Sequence, residues 1–410
     1  MGSEVIAVPT SPGTDAHASP HAAVPRVEAG MSWHRAHRLA GTLPHPLAAE
    51  RVPLARAHGH TLAEPATSAA LLPGTDTAAM DGYAISGRAP WRVVGRTLAG
   101  QPAHVPLAPG TAVEIATGAP VPPGADAVLP VERCHVDGDT VTPSETGPGR
   151  THIRYAGEDL TPGRLLAPAG TRVTATLAGL AAHAGLDELT VHRSPRVRLA
   201  ATGDEIIGSG VPAAGQVRDA LTPLLTALLT GTGGTLAGAV HVPDRADLLA
   251  AELASADWDV TAVTGSSSVG RADHLHSVLT RAGARWHVDG VACRPGHPQA
   301  LAELPGGRWV VGLPGNPYAA LVGAVTLLRP LLDALQGRAP REPLRLPVTG
   351  KAEPYDGGTR LVPVHLADGR ATVVPGSRPA SLLSAATADA LAVIPSGWAQ
   401  GDAADLLPVQ

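Results

Sequence analysis

Between residues 196 and 335 apolar runs alternate with amphipathic stretches, and the alternation predicts strands and helices in turn. PRVRLAATGDEI reads as a strand ending in a loop, and ALTPLLTALLTGTGG as a helix with a glycine stop. TLAGAVHVPD and WDVTAVTGSSS read as further strands, with helices at RADLLAAELASA and RADHLHSVLTRAGA. A late strand, GRWVVGLPGNP, runs into the long apolar helix YAALVGAVTLLRPLLDAL. This rhythm predicts an α/β domain over residues 196–337, a parallel sheet covered on both faces.

Elsewhere the pattern differs. Residues 1–30 are rich in Pro, Ser, Ala and Gly without periodicity and read as a disordered leader. Residues 31–195 read as N-terminal domains. A helix opens at SWHRAHRLAGTL, and an inserted β-rich domain spans about 86–155, where short Val-rich pieces are divided by Pro and Gly. Residues 340–410 return to β spacing, with turns at YDGGTR and LADGRA, and read as a small β domain. The fold class is therefore α/β plus β, in several domains; 410 residues exceed one ordinary core.

Composition narrows the function. A net charge of −5 without any Lys/Arg run gives no drive toward nucleic acid or acidic membranes. Cys134 and Cys293 have no neighbours at metal-ligand spacing and read as unpaired cytosolic thiols. Neither a secretory leader nor an apolar run of about 18 residues is seen, and MGSEVI lacks the Ser/Thr of a myristoylation signal. The expected location is cytoplasmic, with no nucleic-acid or membrane partner.

In an open parallel sheet, ligands bind beyond the carboxyl ends of the strands. Three such ends carry unusual loops here: ATGDEI (201–206), TGSSSVGRAD (264–273) and GLPGNP (312–317). Glycines let backbone N–H groups approach a ligand, and a following helix N-terminus favours an anion. Ser266, Ser267 and Ser268 add hydroxyl donors. Acidic residues share the edge: Asp204, Glu205, Asp244 and Asp273. Carboxylates beside a phosphate commonly share Mg²⁺. Plain turns are the alternative for the loops, and helix capping the alternative for Asp244. The residues alone give a phosphate- or nucleotide-binding domain with a Mg²⁺ site, and leave the chemistry open.

These segments, in this order, resemble the molybdopterin molybdenumtransferase family, which includes the E domain of gephyrin. The resemblance covers about residues 32–408. DTAAMDGYAI (76–85) matches the family's Asp-Asn-Ser-Ala-Met-Asp-Gly-Tyr-Ala stretch except at Thr77 and Ala78. IATGAPVPPGADAVLPVE (115–132) and IRYAGEDLTPG (153–163) follow the family closely, and TGDEI and GLPGNP match outright. The resemblance implies insertion of molybdate into adenylated molybdopterin with release of AMP, dependent on Mg²⁺. It implies an elongated homodimer whose active-site cleft is completed by the partner subunit. A molybdopterin adenylyltransferase and molybdoenzymes would be further partners.

Carried onto this chain, the resemblance implies catalytic roles for Asp81, Thr117, Glu205, Asp244 and Asp273, with Glu205, Asp244 and Asp273 holding the metal. By residue type alone, Asp81 and Thr117 are ordinary turn residues. Substrate contacts would come from Thr202, Gly203, Asp219, Gly265, Ser266, Ser267, Ser268, Gly270, Arg271, Arg294, His297, Pro314, Gly315 and Asn316. Glu158 and Asp159 are either supporting residues or salt-bridged surface groups.

The chain departs from the family at three places. The TGSSSVGRAD loop, typically Ser-Gly-Gly-Val-Ser-Val-Gly-Glu followed two residues later by Asp, has Arg271 for the Glu, with Ser266 and Ser267 also changed. That moves the local charge by two units, each of order 4 kcal/mol at roughly 4 Å and an effective dielectric of about 20. CRPGHP (293–298) stands where the family has Lys-Pro-Gly-Lys-Pro, so one guanidinium and one imidazole replace two ammonium groups. Ala220 and Leu221 replace a polar pair after Asp219. Three readings follow: an active transferase with Arg271 making up the lost charge, a catalytically degenerate paralogue that stores or delivers the pterin, and a structural scaffold.

Overall fold

The computed structural model describes residues 30–101, 106–145, 150–255, 257–265 and 274–409. The expected leader, apart from Gly30, and Ser266, Ser267, Ser268, Gly270, Arg271 and Asp273 lie outside the described residues.

The α/β domain is built on a six-stranded sheet. Its parallel part runs Thr235–Val242, Arg196–Thr202, Val260–Thr264, Arg308–Leu313. All five residues of Val260–Thr264 are buried, as a strand covered on both faces requires. Alternate side chains serve opposite layers. Leu199 and Val311 pack toward Leu225, Leu321 and Val325, whereas Ala200 and Val310 face Leu249, Leu275 and Val278. Helices occupy Leu221–Thr232, Ala246–Ala254 and Leu275–Arg281, and the first ends at Gly233 in the left-handed conformation.

The sheet is longer than the alternation predicted. Ala300–Leu304 pairs antiparallel with Arg308–Leu313, and Arg285–Asp289 antiparallel with Ala300–Leu304. These strands are short and separated by Gly and Pro, so locally they read as loop. Between them, Val291–Arg294 leaves the domain and joins a second sheet of seven strands. There it pairs parallel with Met31–Ser32 on one side and with Thr359–Ala367 of the C-terminal region on the other. Gly358 permits that union, because a Cβ at this position would lie 2.1 Å from the Ala292 carbonyl oxygen. The N-terminal part adds a six-stranded sheet of strands between Gly82 and Pro143 and a three-stranded sheet of Ala49–Pro53, Glu188–His192 and Thr61–Leu62.

The long apolar helix runs Pro317–Leu335 and passes through a π turn at Ala324–Leu328. Although apolar enough to cross a membrane by length, 83% of it is buried in the protein, as a core helix is. Pro330 has no N–H to donate to the carbonyl four residues back, that of Thr326. The freed carbonyl is taken by His37 Nδ1 at 3.0 Å, and Trp33 Nε1 donates to Thr326 Oγ1 at 2.9 Å. Trp33 and His37 stack at 4.8 Å. The defect in one helix is therefore the docking point of the N-terminal helix Trp33–Thr42.

Burial holds the His37 pKa below its ordinary value, with His34 and Arg329 lowering it further while the Thr326 bond and Asp333 oppose. The unfolded chain thus takes up this proton at higher pH than the folded one. The stabilisation is complete above the ordinary histidine range near pH 6.5 and is lost as pH falls below it. We predict that the melting temperature drops between pH 7.5 and 5.5, and that His37→Asn, which retains an amide donor, flattens the slope. An unchanged slope in that variant would refute the assignment.

Candidate functional site

The ends of the parallel strands come together as expected. Gly265 is at φ +90°, and a Cβ there would lie 2.4 Å from the Thr202 carbonyl oxygen, so only glycine lets the ATGDEI and TGSSSVGRAD loops touch here. Gly315 closes from the other side, since a Cβ on it would be 3.4 Å from Gly265 Cα. The groups that build this junction are spent on it. Thr202 is buried and its Oγ1 donates to the Thr264 carbonyl at 2.8 Å. The N–H groups of Gly203 and Gly265 bond to the Val242 and Leu313 carbonyls at 3.3 and 3.2 Å.

The carboxylates are arranged for different tasks. Glu205 folds back over Gly203 into the space a Cβ would occupy, which would lie 2.6 Å from Oε2. His241 Nε2 donates to the Gly203 carbonyl at 2.6 Å, fixing the loop beneath it. Asp204 accepts the Asp244 backbone N–H at 3.1 Å, joining the ATGDEI loop to the turn after the strand Thr235–Val242. Asp244 does not cap the following helix: Arg245 is the N-cap residue and no side chain caps it. Among the described residues no hydrogen bond or ion pair engages the Asp244 carboxylate. The capping reading applies to Asp219 instead, whose Oδ1 accepts the N–H groups of Leu221 and Thr222, both at 3.0 Å.

The helix N-terminus after GLPGNP is not open to an anion. Its first N–H groups, from Tyr318 and Ala319, are taken by the Pro379 carbonyl at 3.0 and 3.3 Å. Tyr318 is buried and donates its hydroxyl to the Leu361 carbonyl at 2.8 Å. Both bonds reach into the C-terminal region and fix it against the α/β domain.

That docking creates a cleft of about 420 Å³ in which Arg294, His297, Pro314 and Asn316 meet Arg360 and Arg378. The parallel register sets Cys293 opposite Thr359 and Arg294 opposite Arg360. Two arginines are thus register neighbours lining one cleft, and like charges so placed favour an anion there. Arg294 also rests on the Tyr355 ring, 4.8 Å from its centroid. Among the described residues, no carboxylate lies within 4.0 Å of Arg294, Arg360 or Arg378.

His297 is less available than its position suggested. Its Nδ1 donates to the Val291 carbonyl at 2.8 Å, while the Val291 N–H returns to the His297 carbonyl at 3.0 Å. The ring closes a turn before it meets any ligand. Behind the cleft, Gln299 is buried and donates to the Gly296 carbonyl at 2.8 Å and to Cys293 Sγ at 3.2 Å. Burial pushes the Cys293 thiol up to about 12, so it stays protonated.

Asp81 and Thr117 lie in the N-terminal part. Asp81 Oδ1 accepts the Thr117 N–H at 2.6 Å and its hydroxyl at 2.8 Å. These bonds hold the Asp81 carboxyl below its usual range, so it is ionised at neutral pH. Asp76 and Glu158 accept the backbone N–H groups of Ala156 and Tyr155, and Asp159 pairs with Arg154. The GEDL residues are therefore local fasteners of this surface.

Sequence reasoning missed Arg360 and Arg378. Arg360 is the last residue of YDGGTR, and the signal available was an arginine at a strand start just after two glycines, which only the long-range pairing with Arg294 makes meaningful.

Two family models match the chain: the MoeA N-terminal region (domain I and II) over residues 31–185 and a probable molybdopterin binding domain over residues 199–334. A molybdopterin molybdenumtransferase from Synechococcus elongatus is 34% identical over 375 residues, covering 86% of this chain and 92% of that protein. The Haemophilus influenzae protein of the same name is 33% identical, covering 72% and 75%. A crystal structure of a molybdopterin biosynthesis MoeA protein from Pyrococcus horikoshii has the same fold, with a TM-score of 0.76, 22% identity and coverage of 92% and 99%. With two family models in order along it and relatives at 33–34% identity over most of both chains, the chain belongs to the molybdopterin molybdenumtransferase family of molybdenum cofactor biosynthesis.

Proposed function

We propose that this protein inserts molybdate into adenylated molybdopterin and releases AMP, with Arg294 and Arg360 holding the oxyanion. The observation that carries this is that those two arginines, neighbours in register, line one cleft with Pro314 and have no carboxylate partner among the described residues. The pterin's own sulfurs take the metal, so the protein's part is positioning and charge stabilisation. The touching loops at Gly203, Gly265 and Gly315 put the strand-end carboxylates and the arginine cleft on one continuous surface, because Pro314 and Asn316 line the cleft while Gly315 packs on Gly265. A substrate with a phosphate at one end and a metal-binding dithiolene at the other suits such a surface.

No cluster of three or more metal-ligating side chains occurs among the described residues. Mg²⁺ needs only one or two carboxylates beside substrate phosphate and water, and the unengaged Asp244 and the cradled Glu205 suit that demand. Bound there with Asp273, it would neutralise charge on the phosphate. The protein recovered from a reaction with adenylated molybdopterin and molybdate should carry molybdenum by elemental analysis, with AMP in solution. Bound pterin without either product would favour the storage reading.

The reading includes a cytoplasmic homodimer in which Asp81 and Thr117 face the cleft of the partner subunit. It is supported by the ionised, exposed Asp81 held ready by bonds made wholly within the N-terminal part. Mixing inactive Asp81→Ala and Arg294→Ala proteins after subunit exchange should then restore about a quarter of native activity, from one intact site in half of the dimers. No recovery would place both residues in one subunit's site.

A further inference from the structure

The family's second lysine of the Lys-Pro-Gly-Lys-Pro segment is His297 here, and its ring is engaged with Val291. The cleft nonetheless holds a third guanidinium besides Arg294 and Arg360. We propose that Arg378 is an oxyanion-binding residue that sets molybdate affinity, taking over from the C-terminal region the charge lost at position 297. The inference rests on the reading of the cleft as the molybdate site.

Three observations carry it. Arg378 lines the same cavity as Arg294 and Arg360, and among the described residues it has no acidic partner. Its backbone is held: the Pro379 carbonyl caps the helix at Tyr318 and Ala319, and the Ser381 N–H bonds to the Arg378 carbonyl at 3.0 Å. An exposed arginine on a free turn would lose much side-chain and backbone entropy on binding, whereas one on a clamped turn loses less. Third, the same cavity is lined by His297 of the α/β domain, whose Nδ1 is committed as a donor to a carbonyl. The positive charge facing the anion therefore comes from both sides of the domain junction, with the C-terminal region supplying Arg360 and Arg378. Arg378 can hold such an oxyanion in a defined orientation, since a planar guanidinium gives two parallel N–H groups to two oxygens.

The test is equilibrium dialysis of molybdate against the wild-type chain, Arg378→Ala, Arg378→Lys and Arg378→Ala combined with His297→Lys, with thermal melting as a check on folding. Arg378→Ala should weaken molybdate binding about 10- to 100-fold, and Arg378→Lys should weaken it less. Binding of adenylated molybdopterin should stay unchanged in both. The added lysine at 297 should recover part of the loss. Equal molybdate affinity in wild type and Arg378→Ala would overturn the proposal, as would an equal loss of pterin affinity. Arg378-dependent molybdate binding in a protein that releases no AMP would uphold the role of Arg378 and reject the transferase reading.

Discussion

Replacing Arg294 and Arg360 together by alanine should raise the molybdate concentration for half-maximal AMP release by at least ~100-fold. A hydrogen bond to a charged group contributes about 1.5–3 kcal/mol, and both arginines face the same cleft. Because they share one ligand, their single losses should not sum to the double loss. The same substitution should leave the ligand-free protein as stable as before or more so, since it removes two adjacent like charges from the parallel ladder. Molybdate at about 100 times its Kd should stabilise the wild type by about 2.7 kcal/mol and the double variant far less. A double variant that melts well below the wild type without ligand would make these arginines structural.

Asp244→Asn should reduce turnover by about 100-fold or more while leaving the melting temperature unchanged. The geometry separates the two effects: the Asp244 carboxylate caps no helix and engages no described side chain, so folding loses nothing with its charge. Asp219→Asn is the contrasting case. Its Oδ1 holds two N–H groups of the helix Leu221–Thr232, and Asn caps nearly as well, so the helix should survive. Asp219→Ala should cost about 1 kcal/mol of stability. A large fall in stability in Asp244→Asn would return Asp244 to a structural role.

Much of this was legible in the chain because the α/β part obeys local rules. The apolar run at Val260–Thr264 is a strand buried on both faces, and Gly233 stops a helix where a left-handed residue is needed. The strand-end loops could be placed on one edge for the same reason. What stayed hidden depends on contacts distant in sequence. Nothing near Arg294 announces that it pairs in register with Arg360, and nothing near Tyr318 announces that Pro379 caps its helix. The π turn before Pro330 became readable only with His37 and Trp33 beside it, almost 300 residues away in the chain. Residue type alone left the roles of the acidic residues open. Capping was the alternative for Asp244, which caps no helix, whereas Asp219, set among the binding residues, holds two N–H groups at a helix start. His297 occupies the right place for an oxyanion ligand, but its Nδ1 is spent on the Val291 carbonyl.

The central claim is that the arginine cleft holds molybdate while the adjoining loops hold the activated pterin. The most direct measurement is the rate of AMP release from adenylated molybdopterin, with Mg²⁺ present, as molybdate is titrated. The account predicts a saturable rise with molybdate, and loss of that rise in the Arg294→Ala, Arg360→Ala double variant. AMP release that proceeds equally without molybdate, or tight pterin binding with no AMP at any molybdate concentration, would contradict it.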